Sequence, residues 1–113
     1  MTVEQTGVVD IISTDPLSGE VRLTIPDHLE WSPEHLIMLQ EKINSYVRFI
    51  ESGEIFSSYP EAQGRRLVIN VAILRRPGEL GTQFLEMASA LVEAAGFGCR
   101  YGPLAGTYAE DGG

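Results

Sequence analysis

The stretch Ile25–Gly53, IPDHLEWSPEHLIMLQEKINSYVRFIESG, decides how this chain is read. It ends one strand, makes a short connection and runs into a long helix. Pro26 reads as the stop of the strand, because proline cannot donate to a sheet ladder. Ser32-Pro33-Glu34 then gives an N-cap hydroxyl, a proline at the first helical position and an acid in the positive first turn. At 100° per residue, Leu36, Leu39, Ile43, Tyr46, Val47 and Ile50 fall in one stripe, which makes an amphipathic helix over about 33–52 with Gly53 as its cap. Met38 and Phe49 share a different face, beside Lys42 and Ser45, and Ile37 stands alone.

Upstream, the β-branched run Val8–Thr14 reads as a strand. Asp15-Pro16-Leu17-Ser18-Gly19-Glu20 is turn chemistry, and Val21, Leu23 and Ile25 then alternate on one face. Together these runs predict a β-hairpin. Downstream, residues 54–64 read as a loop in which Ile55, Phe56 and Tyr59 pack down, with Tyr59-Pro60 as an anchored corner and the loop itself a possible lid or binding rim. The run from Arg65 to Arg76 reads as the longest strand. It is apolar on both faces, as central strands are. A second helix is expected over about 79–95, with Leu80, Phe84, Met87, Leu91 and Ala95 on its core face, widened by Leu85 and Val92. Residues 97–101 make a last strand.

The order is ββαβαβ. The economical solution is an α+β two-layer sandwich, a four-stranded mixed sheet with two helices packed on one face. Residues 1–102 form the single domain, and the glycine-rich segment 103–113 is expected to be a flexible tail. Hydrophobic residues make up 43% of the 113 and charged residues 21%, ordinary globular usage. No apolar run approaches the roughly 20 residues of a membrane span, and MTVEQTGVVD does not resemble a signal peptide, so a cytoplasmic location is expected.

The net charge is −8, and residues 1–61 hold eleven of the sixteen acids. That balance argues against nucleic-acid and membrane-surface binding and is compatible with solubility alone or with a basic protein partner. Arg65, Arg66, Arg75 and Arg76 bracket the central strand. They read as partners for surplus acids or as gatekeepers rather than as a nucleic-acid footprint. The single cysteine, Cys99, sits in a strand and reads as a small buried hydrophobe. Its alternative is a nucleophile helped by Arg100, although adjacent strand residues face opposite ways.

The segments Thr14–Trp31, His35–Gly53 and Tyr59–Arg65, carrying DHLEW, LQEKIN, FIESG and YPEAQGR, resemble a family of small bacterial proteins classed only as a domain of unknown function. The resemblance spans about residues 8–101 and implies a soluble bacterial protein of this length. It implies no activity, cofactor or catalytic residue.

Candidate chemistry gathers at the start of the first helix: Asp27, His28, Glu30, Glu34 and His35. Histidines with carboxylates bind metals or move protons, but His28 and His35 lie seven apart across a loop, unlike the i, i+4 pair of a helical zinc motif. No metal, cofactor or catalytic residue is assigned. Trp31 is either an exposed anchor for a partner or a plug stapled back onto Leu36. Three functions are open. One is a non-enzymatic interaction module for a basic partner such as a toxin or nuclease, acting through the acidic front half, the Met38/Phe49 face or the 54–64 loop. Another is a metal-binding or hydrolytic enzyme built on His28 and His35. The last is a homodimer joined through Met38 and Phe49 or a free edge strand. The candidate binding residues are His28, Trp31, His35, Met38, Phe49 and Tyr59.

Overall fold

The structure is a computed structural model, and it describes residues 11–103 and 106–108. Four strands, β1 (Ile11–Thr14), β2 (Val21–Asp27), β3 (Leu67–Ile73) and β4 (Gly98–Pro103), form one mixed sheet in the order β1-β2-β3-β4. The hairpin pairs β1 with β2 antiparallel, and β2, β3 and β4 run parallel. Two long helices, α1 (Pro33–Glu51) and α3 (Gly78–Ala94), supply the crossovers, with a short α2 (Glu54–Ser58) between them in sequence. Crossovers of one hand in a steadily advancing strand order place both long helices on the same side of the sheet.

The expected α+β sandwich is the observed fold, with adjustments at the ends of elements. The strand expected over 8–14 is described from Ile11; residues 8–10 lie outside the described residues. Of the expected tail, only Pro103, at the end of β4, and residues 106–108 are described. Tyr108 there is half-buried against the core.

Pro26 does not stop β2, which continues to Asp27. The reason lies in the ladder. Odd residues of β2 bond to β3, as in Val21 N–H to Arg66 O at 2.8 Å and Leu74 N–H to Asp27 O at 2.8 Å. The nitrogen of Pro26 therefore points away from β3, and its missing proton costs that pair nothing. The expected 54–64 loop also holds helical turns, namely α2 and a 3₁₀ turn at Pro60–Ala62. Gly53, at φ 83°, lets the chain leave α1 and re-enter a helix at once. Ile55 and Ala62 are buried, and Tyr59 shares a 2.7 Å hydrogen bond with Thr14, so this segment does pack down.

Val21, Leu23, Ile25, Ile69, Val71 and Ile73 share one face of the sheet and one core with Leu39, Ile43 and Tyr46 of α1 and Leu85 and Val92 of α3. The opposite face has no helix on it among the described residues. There Glu20 receives both guanidinium nitrogens of Arg100, across β3, and Arg22 at 3.0 Å; Arg22 also reaches Asp15 at 2.8 Å. Val68 is fully buried on this side, although a helix covers only the other. Of the arginines bracketing β3, Arg65 donates to the backbone carbonyls of Glu61 and Gly19, and Arg76 lies over the Tyr108 ring at 5.2 Å.

The guanidinium of Arg100 holds the Glu20 carboxyl below the usual glutamate range, and the Leu17 amide followed by Ser18 and Arg22 does the same for Asp15. Groups depressed in this way stabilise the fold above their unfolded pKa and lose that contribution as pH falls through their folded pKa. Urea midpoints measured against pH will therefore fall on acidification. Glu20→Gln will be less stable than the parent near neutrality, and the two curves will converge in acid.

Candidate functional site

Of the five residues gathered at the start of α1, the fold brings two together. Asp27 ends β2 and His35 occupies the first turn of α1, so the strand–helix connection folds one onto the other. Asp27 is fully buried and His35 is 2% exposed. His35 Nε2 lies 2.5 Å from Asp27 Oδ2, and Nδ1 lies 3.1 Å from the carbonyl of Glu30. Asp27 Oδ1 accepts the Leu29 amide at 3.2 Å, and the hydroxyl of Ser32 caps the helix by accepting the His35 amide at 3.2 Å. Both imidazole nitrogens thus face oxygen. A carbonyl can only accept, so Nδ1 donates to Glu30 and Nε2 is turned to the Asp27 carboxylate.

Trp31 closes this pair. Its ring packs against His35 at 4.1 Å between centroids, tilted by 36°, and its Nε1–H donates to the carbonyl of Arg75 at 3.0 Å. On α3 it meets Gly81, where a Cβ would stand 2.9 Å from the indole. The tryptophan packs inward, between the start of α1, the end of β3 and the first turn of α3.

The other candidates lie elsewhere. His28, Glu30 and Glu34 are exposed, and Glu30 contributes its backbone rather than its carboxylate. Tyr59 is half-buried at the Thr14 end of the sheet. Thr14 pairs with Val21, so Tyr59 is the length of β2, about 20 Å at 3.3 Å per residue, from the Asp27 end. Met38 and Phe49 are half-buried against the core. Phe49 also borders a shallow concavity with Ile12, Ser45, Arg48, Ser52 and Glu54. Lys42, between them in sequence, is fully buried, with its ammonium 5.7 Å from the centre of the Tyr46 ring. Burial pushes the Cys99 thiol up, which favours the protonated form, and Arg100 beside it turns to the opposite face to meet Glu20.

The chemical capacity of the Asp27–His35 pair follows from its saturation. A general base or metal ligand must present a nitrogen lone pair to its target. Here both nitrogens are engaged and the indole covers the ring. Among the described residues no group of three or more histidine, cysteine, aspartate or glutamate side chains could hold a metal ion. The arrangement is suited to locking α1 onto β2.

A feature missed in the sequence lies between the two long helices. Three residues of the stripe expected to be the core face of α3 point outward, Leu80 at 62% exposed, Met87 at 60% and Leu91 at 68%, while Phe84 packs partly against the core. Leu85 and Val92, expected to widen that face, do face the core, together with Gly81. Met87 and Leu91, with Phe84 and Ala88, form the α3 wall of a groove of about 230 Å³ whose α1 wall is Gln40, Ile43, Asn44 and Val47. The signal was present, since α3 carries apolar residues around more than half of its circumference, and a second stripe of that kind needs its own partner.

The chain belongs to DUF6572, a family of unknown function, whose sequence profile matches residues 1–105. No curated protein and no solved structure matches it. No helix among the described residues is long and apolar enough to cross a membrane.

Breaking the buried pair leaves one polar partner stranded. Asp27→Ala and His35→Ala are each expected to cost about 3–5 kcal/mol in urea unfolding. The double variant will cost less than the sum of the two, by more than about 1 kcal/mol, because the residues act as a unit. Additive losses would show that the pair does not bear on stability as one element.

Proposed function

We propose that this chain is a non-enzymatic interaction module that binds a basic protein partner. The observation that carries this reading is the groove between α1 and α3. It is an apolar surface left open on a chain with a net charge of −8. Contiguous exposed apolar patches on a folded domain mark interaction sites, and single-sign charge around them selects partners of the opposite sign.

The metal or hydrolytic reading draws no support from the geometry of His35, whose nitrogens are both engaged, or from His28, which is exposed. The homodimer reading through Met38 and Phe49 is weakened by the packing of both side chains against the core.

The test is an affinity capture with the immobilised full chain at low salt, followed by titration of the purified, identified partner. The partner is expected to be basic, and its affinity to fall steeply as salt rises, since charge complementarity is screened. An identified partner that is acidic, or whose affinity is indifferent to salt, would refute the reading.

A further inference from the structure

Helix α3 carries two apolar arcs that are offset by one residue. Leu80 precedes Gly81, Phe84 precedes Leu85, Met87 precedes Ala88 and Leu91 precedes Val92. Gly81, Leu85 and Val92 are buried, Phe84 and Ala88 are half-buried, and Leu80, Met87 and Leu91 are exposed. One residue is about 100° of rotation in an α-helix. A roll of α3 about its own axis by that angle puts each first member in the place of its successor.

The side chains of α3 are suited to the rolled position. Leu80, Phe84 and Leu91 would take the buried places of Gly81, Leu85 and Val92, and Met87 the half-buried place of Ala88. Leu85 and Val92 would be exposed in exchange, so more apolar surface would leave water than does now. Thr82 and Ser89, now half-buried, would move to the exposed places of Gln83 and Ala90. Glu79, Glu86 and Glu93 would take the places of Leu80, Met87 and Ala94, which are exposed, so no carboxylate would be buried. The hydrogen bond given up is the one from Ser89 to the Cys99 carbonyl, at 3.4 Å.

What opposes the roll is the indole. At Gly81 a single added Cβ would stand 2.9 Å from the Trp31 ring and 2.9 Å from the Pro77 side chain, so leucine cannot enter that place while the ring is there. Trp31 is held in turn by the Arg75 carbonyl and by the His35 ring. The ends of α3 offer less resistance. Gly78 at φ 68° and Gly96 at φ 100° bracket the helix, and residues at element ends absorb the backbone change when a helix moves.

We infer that α3 is a two-position helix and that Trp31 is its latch. With the indole seated on Gly81, α3 stands as described and the groove against α1 is open. With the indole withdrawn, α3 rolls by one residue, Leu80 enters the seat, and Leu91 leaves the groove wall for the core. The same withdrawal uncovers the His35 ring. An open groove and an uncovered Asp27–His35 pair are therefore alternatives coupled through one side chain, as packed cores switch between discrete arrangements. The inference concerns the chain alone and is independent of what the groove binds.

The test is methyl NMR of the full chain, with ¹³C-labelled leucine and valine methyls and a water-soluble paramagnetic agent that broadens exposed methyls. In the parent, Leu91 is broadened and Val92 is protected. Trp31→Ala, which empties the seat, should exchange the two while the urea transition stays cooperative. Gly81→Ala presses on the indole from the other side and should move both methyls in the same direction. The emission of Trp31, the only tryptophan in the chain, should then shift to the red. Leu91→Asp added to Trp31→Ala bars the rolled position, because an aspartate is costly in the buried place of Val92, and should leave Val92 protected. A folded Trp31→Ala with Leu91 still broadened and Val92 still protected would overturn the inference. Broadening of both methyls would mean that α3 has come loose, and would overturn it as well. If Trp31→Ala loses its cooperative transition, the same two methyls in Gly81→Ala decide, unchanged methyls counting against the roll. Loss of the fold in both variants would make the seat a fixed part of the core, with no second position.

Discussion

The indole of Trp31 lies against α3 at Gly81, and no larger residue fits there: a Cβ would stand 2.9 Å from both the indole and the Pro77 side chain. This contact fixes how α3 is rotated. With position 81 turned toward the indole, Leu85 and Val92, four and eleven residues on, must face the sheet. Leu80, Met87 and Leu91 are then carried to the outer side, whatever their own preference for burial. The same indole covers His35 and donates to the carbonyl of Arg75 just past β3, so one side chain sets the relation between both long helices and the sheet. The groove is a consequence of that arrangement.

The pair beneath the indole has a complementary part. Asp27 and His35 are expensive to bury singly, and each removes the cost of the other. They act only when β2, the connection and the first turn of α1 are all in place, because Leu29, Glu30 and Ser32 supply the remaining bonds. A buried polar unit of this kind tolerates one register of helix on strand, whereas an apolar stripe alone slides more easily. The other side of the sheet is covered by charge in place of a helix: Glu20 joins β2 to β4 through Arg100, across the buried Val68 of β3.

Most of the architecture was legible because it rests on local chemistry. The Asp15–Gly19 turn, the Ser32-Pro33 helix start and the two-sided apolar run of β3 each report on their own conformation. Pro26 misled because its effect depends on which neighbour its nitrogen faces, a property of the sheet and not of the residue. The pairing of Asp27 with His35 was half visible. Both stood in the acidic cluster, but only the path of residues 28–32 decides that they meet and that His28 does not join them. The α3 stripe was misassigned for a related reason. Its apolar residues form two overlapping arcs, and hydrophobic periodicity cannot rank them. What ranks them is Gly81, whose small size means nothing until an indole from the distant connection before α1 is placed against it.

The division of charge over the molecule follows the division of faces. On the open side of the sheet, acids and arginines alternate across strands and neutralise one another, as in Asp15–Arg22–Glu20–Arg100. Such a surface is internally satisfied and has little left to offer a charged partner. On the helix side, the carboxylates Glu34, Glu41, Glu79, Glu86 and Glu93 are exposed, while Lys42 of α1 is buried and Arg48 donates to Ser45 beside the concavity of Phe49. Like charges on one surface repel and cost stability. A chain that needed only solubility would gain as much from the same acids interspersed with bases. The excess acids and the exposed Leu80, Met87 and Leu91 are thus carried by the same two helices, on the side of the sheet where no arginine network neutralises charge.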